Sequence, residues 1–143
     1  MKQIETEILI NAKPKKVWQI LTDFEKHPDW NPFIQSIEGE KSLGKRLRVF
    51  IKPPDNKGMT LKPVILKLDP EKEFRWKGKL GIRGIFDGEH YFILDEYSEN
   101  QTKFIHGEKF TGILVPFVGK ILDKTKDGFN LMNESIKKEC EKQ

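Results

Sequence analysis

The sequence predicts an α+β fold in which an antiparallel meander is closed by one long C-terminal helix. Three patterns predict it. Ile4, Thr6, Ile8 and Ile10 alternate with Glu5, Glu7 and Leu9; turn residues break the chain at short intervals from Ile34 to Phe110; and Val118, Leu122, Thr125, Phe129, Met132 and Ile136 fall alternately four and three apart. The first is the period of a half-buried strand, and the last is one stripe along a helix.

Taken in order, the first strand spans about residues 3 to 11. Pro14 then suits the first turn of a helix, and Val17, Trp18, Ile20, Leu21 and Phe24 recur at helical spacing behind it. That helix is expected to stop near His27-Pro28, because the residue before a proline is pushed out of the α region. Asp29-Trp30-Asn31-Pro32-Phe33 follows as a tight aromatic connector. Six strand-like runs come next: Ile34 to Glu38, Lys45 to Ile51, Met59 to Leu68, Phe74 to Lys79, Ile85 to Glu96 and Thr102 to Gly112. Between them lie Gly39 and Gly44, the Pro53 to Gly58 stretch, Asp69-Pro70, the Gly78 to Gly84 loop and Ser98-Glu99-Asn100. With the first strand the total is seven. In the final helix Gly119 and Gly128 each cost about 1 kcal/mol against Ala. Gly119 is near the start, where this matters little; Gly128 either lets the sheet approach closely or leaves room for a ligand.

A chain of 143 residues reads as one domain, residues 1 to 143, and buries about two thirds of its unfolded surface. Hydrophobic residues at 36% with ten Phe and three Trp are enough for a packed core. The net charge of +4 is distributed as alternating signs, as in Glu71-Lys72-Glu73, and the nearest basic cluster is only Lys45-Arg46 with Arg48. No nucleic-acid partner is expected from that pattern. Cys140 is the only cysteine, so no internal disulfide or thiolate metal site can form. No apolar leader opens the chain and no run approaches the roughly 20 apolar residues of a membrane span. A cytoplasmic location without membrane insertion is the expectation.

Several local motifs then acquire a common meaning. They are Val17-Trp18 with Leu21-Thr22-Asp23-Phe24, Pro28-Asp29-Trp30-Asn31-Pro32-Phe33, and Phe86-Asp87-Gly88-Glu89-His90; His106-Gly107-Glu108-Lys109-Phe110 with Gly112 and Leu114-Val115-Pro116; and Gly128-Phe129 with Met132-Asn133. Together with the element order they resemble the SRPBCC superfamily, also called START-like or Bet v 1-like, and within it the polyketide cyclase/dehydrase-type proteins. The resemblance implies a helix-grip fold: a seven-stranded curved antiparallel sheet wrapped around a long C-terminal helix, with two short helices after strand one. It also implies a cavity between sheet and helix, opening near loops at one end.

Strand alternation reads the inner face independently. Phe86, Gly88, His90, Phe92 and Leu94 fall on the inner face of one strand, Phe104, His106, Glu108 and Phe110 on the inner face of the next, and Phe74, Trp76 and Gly78 match them on the preceding one. A hairpin turning about Glu99 sets His90 opposite Glu108 and Phe92 opposite His106. Polar side chains on such a face need partners, since an unpaired one costs several kcal/mol. The expectation is a pocket lined by Trp30, Phe33, Phe74, Trp76, Phe92, Phe110, Phe129 and Met132, with His90, His106, Glu108 and Asn133 as polar contacts. They would hold a small hydrophobic molecule: a lipid, polyketide or aromatic.

The alternative is an aldol-type cyclase or dehydratase in which His106 and Glu108 form the acid/base pair and Asn133 or Trp76 positions the substrate. No G-x-S-x-G, P-loop, H-E-x-x-H or paired C-x-x-C is present, and Gly78, Gly81 and Gly84 do not make the dinucleotide spacing. No cofactor is expected. A metal site would have to draw on His90, His106 and Glu108 alone, and none is expected. Leu80 and Ile82, with Ile113, Leu114, Val115 and Phe117, suggest a further alternative, lipid delivery or a protein-interaction module, aided by Lys79, Arg83 and Lys120.

Overall fold

The computed structural model describes residues 1–79, 87–112 and 119–142. The strands are β1 (Lys2–Ile10), β2 (Ile34–Glu38), β3 (Arg48–Ile51), β4 (Met59–Leu61), β5 (Val64–Asp69), β6 (Glu73–Lys79), β7 (Asp87–Ser98) and β8 (Gln101–Thr111); the helices are α1 (Pro14–Thr22), α2 (His27–Trp30) and α3 (Gly119–Glu141). Five strands form one antiparallel sheet in the order β1-β8-β7-β6-β5, and three form another in the order β2-β3-β4. An isolated bridge between Arg46 and Val64 joins the two.

Eight strands therefore stand where seven are expected, because the run Met59 to Leu68 divides at Lys62-Pro63. Proline has no N–H to give a ladder and constrains the residue before it, so the chain leaves one sheet and enters the other there. The Pro63 carbonyl is still used, accepting from the Leu47 N–H at 2.8 Å. Of the run Lys45 to Ile51, only Arg48–Ile51 is strand, with Arg46 in the bridge.

The first helix also ends earlier than expected. Asp23, at φ −82° and ψ 81°, breaks α1, and a single 3-10 turn over Phe24–Lys26 leads into α2. Pro28 thus sits in the first turn of α2, where a missing N–H costs nothing, so His27-Pro28 begins a helix instead of ending one. His27 is fully buried. Its Nε2 faces the Leu21 carbonyl at 2.7 Å and so carries the hydrogen, while Nδ1 accepts from Asn31 Nδ2 at 3.0 Å. Asn31 Oδ1 in turn accepts from the backbone N–H groups of Phe33 and Ile34, both at 3.0 Å. This small network ties α1 to β2 and fixes where Phe33 enters the core.

On α3 the stripe Leu122, Thr125, Phe129, Met132 and Ile136 is buried against the sheet, as its spacing predicts; Val118 lies outside the described residues. Gly128 is explained by packing. A Cβ there would collide with the Phe33 ring, so the glycine lets that ring lie against the helix. Gly119 opens α3 and meets nothing within 4 Å. Among the described residues no helix is long and apolar enough to cross a membrane.

The sheet's other face is closed by polar groups. Tyr91 points outward from β7 yet is only 2% exposed, lying across Gly107 of the neighbouring strand with the Arg75 guanidinium 4.7 Å above its ring. Its hydroxyl donates to Glu5 Oε1 at 2.7 Å and accepts from Gln3 Nε2 at 2.6 Å. Burial pushes that phenol up to about 12.

Candidate functional site

The register of β7 on β8 is the one the hairpin about Glu99 requires. His90 stands opposite Glu108 and Phe92 opposite His106, and on the other side Trp76 of β6 stands opposite His90 and Phe74 opposite Phe92. Period-two alternation then turns all of these side chains to the α3 side of the sheet. His106 lies flat on Phe129 of α3, ring centroids 4.0 Å apart and planes within 12°. Phe33 meets Phe129 edge-on at 5.4 Å, and Trp76 stacks on His90 at 5.0 Å. Phe74, Phe92, Phe110, Phe129 and Met132 are all buried.

Eleven of the twelve expected site residues thus belong to one buried region. The exception is Trp30, half-buried on α2, whose ring contact is with His27 at 4.9 Å. Its indole N–H is the one fully buried side-chain polar atom without a partner among the described residues. Phe86, placed on the same face by the alternation, lies outside the described residues, as do the loop residues Leu80, Ile82, Arg83 and Ile113 to Phe117.

Inside the aromatic shell the polar groups form one chain of hydrogen bonds, and its proton positions can be deduced. The His106 carbonyl can only accept, so Thr6 Oγ1, at 2.9 Å, donates to it. Thr6 is then the acceptor for Asn133 Nδ2 at 2.8 Å, which turns Asn133 Oδ1 toward His106 Nδ1 at 3.0 Å. His106 Nδ1 must carry a hydrogen; the Phe129 carbonyl also faces His106 as an acceptor. The 2.7 Å contact between His106 Nε2 and His90 Nε2 holds one hydrogen, supplied by His90 if both rings are neutral. His90 Nδ1 is then bare, and Glu108 Oε1 at 3.2 Å donates to it as a carboxylic acid.

Electrostatics agree with that assignment. His90 and His106 are almost fully enclosed, and desolvation lowers both, His90 to about 3 and His106 well below its ordinary value. Burial raises the Glu108 carboxyl to about 8. Near neutrality the trio therefore carries no net charge, and every hydrogen bond runs the same way, from Glu108 through His90, His106 and Asn133 to Thr6. Both nitrogens of His106 are engaged by protein partners. At 2.7 Å the two imidazoles are hydrogen-bonded, which leaves no room for an ion between them, and among the described residues no group of three or more His, Cys, Asp or Glu could hold a metal.

One atom at the end of the chain is left over. Glu108 Oε2 makes no hydrogen bond among the described residues, and the side chain keeps 13% of its surface exposed. It lies over Gly88, where a Cβ would occupy the same space. A separate cleft of about 1020 Å³ on the outer surface, lined by Lys13, Lys67, Asp69, Lys72 and Glu96, contains none of the twelve. Its mixed charges suit solvent better than an apolar molecule.

Residue-type patterns miss Thr6 and Phe24 as members of this region. Phe24 stacks on Phe74 at 5.9 Å, and Thr6 pairs with His106 across β1 and β8. The signal for Thr6 is its place as the single polar residue in the apolar row Ile4, Ile8 and Ile10.

A curved antiparallel sheet laid against a long C-terminal helix, with two short helices after the first strand, is the helix-grip fold. The chain belongs to the SRPBCC polyketide cyclase/dehydrase-type family: residues 1–130 match the family described as polyketide cyclase / dehydrase and lipid transport. Among solved structures it is similar to the Zhui aromatase/cyclase from Streptomyces sp. R1128, with a TM-score of 0.79, 15% identity, and coverage of 98% of this chain and 93% of that one. It is also similar to a START superfamily protein from Mycobacterium smegmatis (TM-score 0.72, 15% identity, 95% and 97% covered). A third is a point mutant of the Thalictrum flavum norcoclaurine synthase, in complex with a transition-state analogue (TM-score 0.73, 17% identity, 97% and 93% covered). At these identities the likeness is one of fold. No curated protein matches the sequence.

Proposed function

We propose that the chain binds a small, largely apolar molecule (a lipid, polyketide or aromatic) between the inner face of the sheet and α3. The observation that carries this reading is the neutral polar chain from Glu108 to Thr6, enclosed in aromatic rings and ending in a carboxyl oxygen with no partner among the described residues. A core that only needed filling would be built more simply from apolar residues, because each buried polar group must be matched or cost about 1–3 kcal/mol. The family match, whose description includes lipid transport, supports the same reading. In it Phe33, Phe74, Trp76, Phe92, Phe110, Phe129 and Met132 line the site, without Trp30. His106, His90 and Asn133 hold Glu108 in place, and Glu108 meets the ligand. The lone buried thiol of Cys140 fits a reducing compartment, the cytoplasm.

The cyclase/dehydratase reading has less support in its original form, with His106 as base, because neither ring nitrogen is free to take a proton from a substrate. Native mass spectrometry of freshly purified protein, with organic extraction of anything bound, tests the binding reading. The expected result is a defined small-molecule adduct of low polarity. A bare mass in repeated preparations, together with no thermal stabilisation by lipids or aromatics, would turn the assignment toward protein interaction.

A further inference from the structure

Resting on the binding reading above, the geometry points to a ligand that presents a hydrogen-bond donor, such as a hydroxyl group, to Glu108 Oε2, and to discrimination against carboxylates and ethers at that position. Lone pairs decide the matter. Glu108 Oε1 faces His90 Nδ1 at 3.2 Å, and one hydrogen lies between them. Whether that hydrogen belongs to the carboxyl or to the imidazole, it is on the Oε1 side. Oε2 is then a carbonyl-type oxygen in the first case and a carboxylate oxygen in the second, and in both it only accepts.

The rest of the chain locks this polarity. Reversing it would require His90 Nδ1 to carry a hydrogen and donate it to Glu108, His106 to turn a bare Nδ1 on Asn133 Oδ1, and ultimately the His106 carbonyl to donate, which it cannot do. The Asn133 amide cannot flip to compensate, because its nitrogen is needed by Thr6. The polar end of the site is thus an acceptor set by Thr6, which reaches it through His106 and Asn133.

Two glycines lie beside that oxygen. Gly78 of β6 pairs directly with Gly88 of β7, so the inner face carries no side chain at two adjacent positions next to Glu108. A Cβ at Gly78 would touch only Pro63, at 3.4 Å or more, whereas one at Gly88 would displace Oε2 itself. Phe110 follows as the next residue across, opposite Gly88 on β8. An aromatic or aliphatic hydroxyl compound suits such a setting: small residues and the Phe110 ring beside its apolar body, and a fixed acceptor for its O–H. A carboxylate would bring lone pairs against lone pairs, and an ether would leave the acceptor unmatched.

Three probes of one shape separate the possibilities: naphthol, its methyl ether and naphthoate, with affinities for the full chain measured by calorimetry near neutral pH. Naphthol is expected to bind about tenfold tighter than the ether, the usual effect of one net hydrogen bond, and naphthoate more weakly than either. In Glu108→Gln the preference persists, because the amide N–H takes over the bond to His90 and its oxygen still faces the ligand. In Glu108→Leu it falls to within roughly twofold, below the effect of one hydrogen bond. Equal binding of naphthol and ether to the unaltered protein would overturn the inference while leaving a ligand site in place. Preference retained in a folded Glu108→Leu would overturn it too. Binding of none of the three would remove the site and the inference together. Should Glu108→Leu not fold, the comparison of naphthol with its ether on the unaltered chain and on Glu108→Gln still decides.

Discussion

Stability of the folded chain is expected to peak near pH 7 and to fall as the pH is raised toward 8, and Glu108→Gln is expected to remove the fall. The signs follow from where the protons are. Glu108 is raised from its ordinary value to about 8, so between those limits the folded state holds a proton that the unfolded state has lost. Its contribution is fully present below the unfolded value and is lost as the pH rises through about 8. His90, His106 and His27 are lowered, His90 to about 3, so their contribution is present above the unfolded value of 6.5 and is lost as the pH falls.

Below pH 6.5 three histidines outweigh one glutamate and stability rises with pH; above about pH 7, where the unfolded histidines have lost most of their protons, Glu108 dominates, since the raised Tyr91 and Cys140 affect only more alkaline solutions. At ~1.4 kcal/mol per unit, the Glu108 share of the loss from pH 6.5 to 8 is about 2 kcal/mol; the last histidine protons of the unfolded chain offset much of it in the parent, so the parent falls by roughly 0.5 kcal/mol while the gap to Glu108→Gln widens by about 2 kcal/mol. Gln at position 108 can donate to His90 in the same place and does not titrate. The variant should come closest to the parent near pH 4, below the ordinary glutamate value, and be increasingly more stable than it toward pH 8, as read from urea midpoints at constant m. A flat alkaline limb in the parent, or one that survives in Glu108→Gln, contradicts the neutral-acid assignment.

His106→Ala is expected to cost about 4 kcal/mol, near the top of the range for a single substitution. Two effects combine. The ring stacked on Phe129 at 4.0 Å is lost from a site with no exposure, leaving a cavity, and truncating a large buried side chain to Ala costs about 2–5 kcal/mol. Asn133 Oδ1 and the His90 Nε2 hydrogen also lose their partners, at about 1–3 kcal/mol each unless water enters. Ile121→Ala, on the exposed side of the same helix, should stay within about 0.5 kcal/mol. Equilibrium unfolding in urea reads both. A loss under about 2 kcal/mol for His106→Ala would mean that the chain of hydrogen bonds is not closed as described.

Much of this is legible in the amino-acid order. The β7–β8 register is readable because a period of two leaves only two choices of face, and Phe92, Phe104 and Phe110 decide between them. The α3 stripe is readable because spacing alternately four and three can be satisfied only on one side of a helix. What escapes is set by tertiary contact. Local pattern cannot tell that Lys62-Pro63 moves the chain between sheets, because the apolar run continues through it. Gly128 has two local readings until Phe33, remote in sequence, is seen to occupy the space. The pairing of His90 with Glu108 follows from the hairpin, but the order of protons does not. That order depends on Thr6 and Asn133, brought to His106 from opposite ends of the chain by β1 and α3.

The most direct test of the neutral one-way chain is the nitrogen-15 NMR spectrum of the imidazole rings near neutral pH. The expected spectrum has His106 neutral with its hydrogen on Nδ1 and His90 neutral with its hydrogen on Nε2, so each ring shows one protonated and one bare nitrogen. A His106 carrying its hydrogen on Nε2, or an imidazolium at either position, would contradict it.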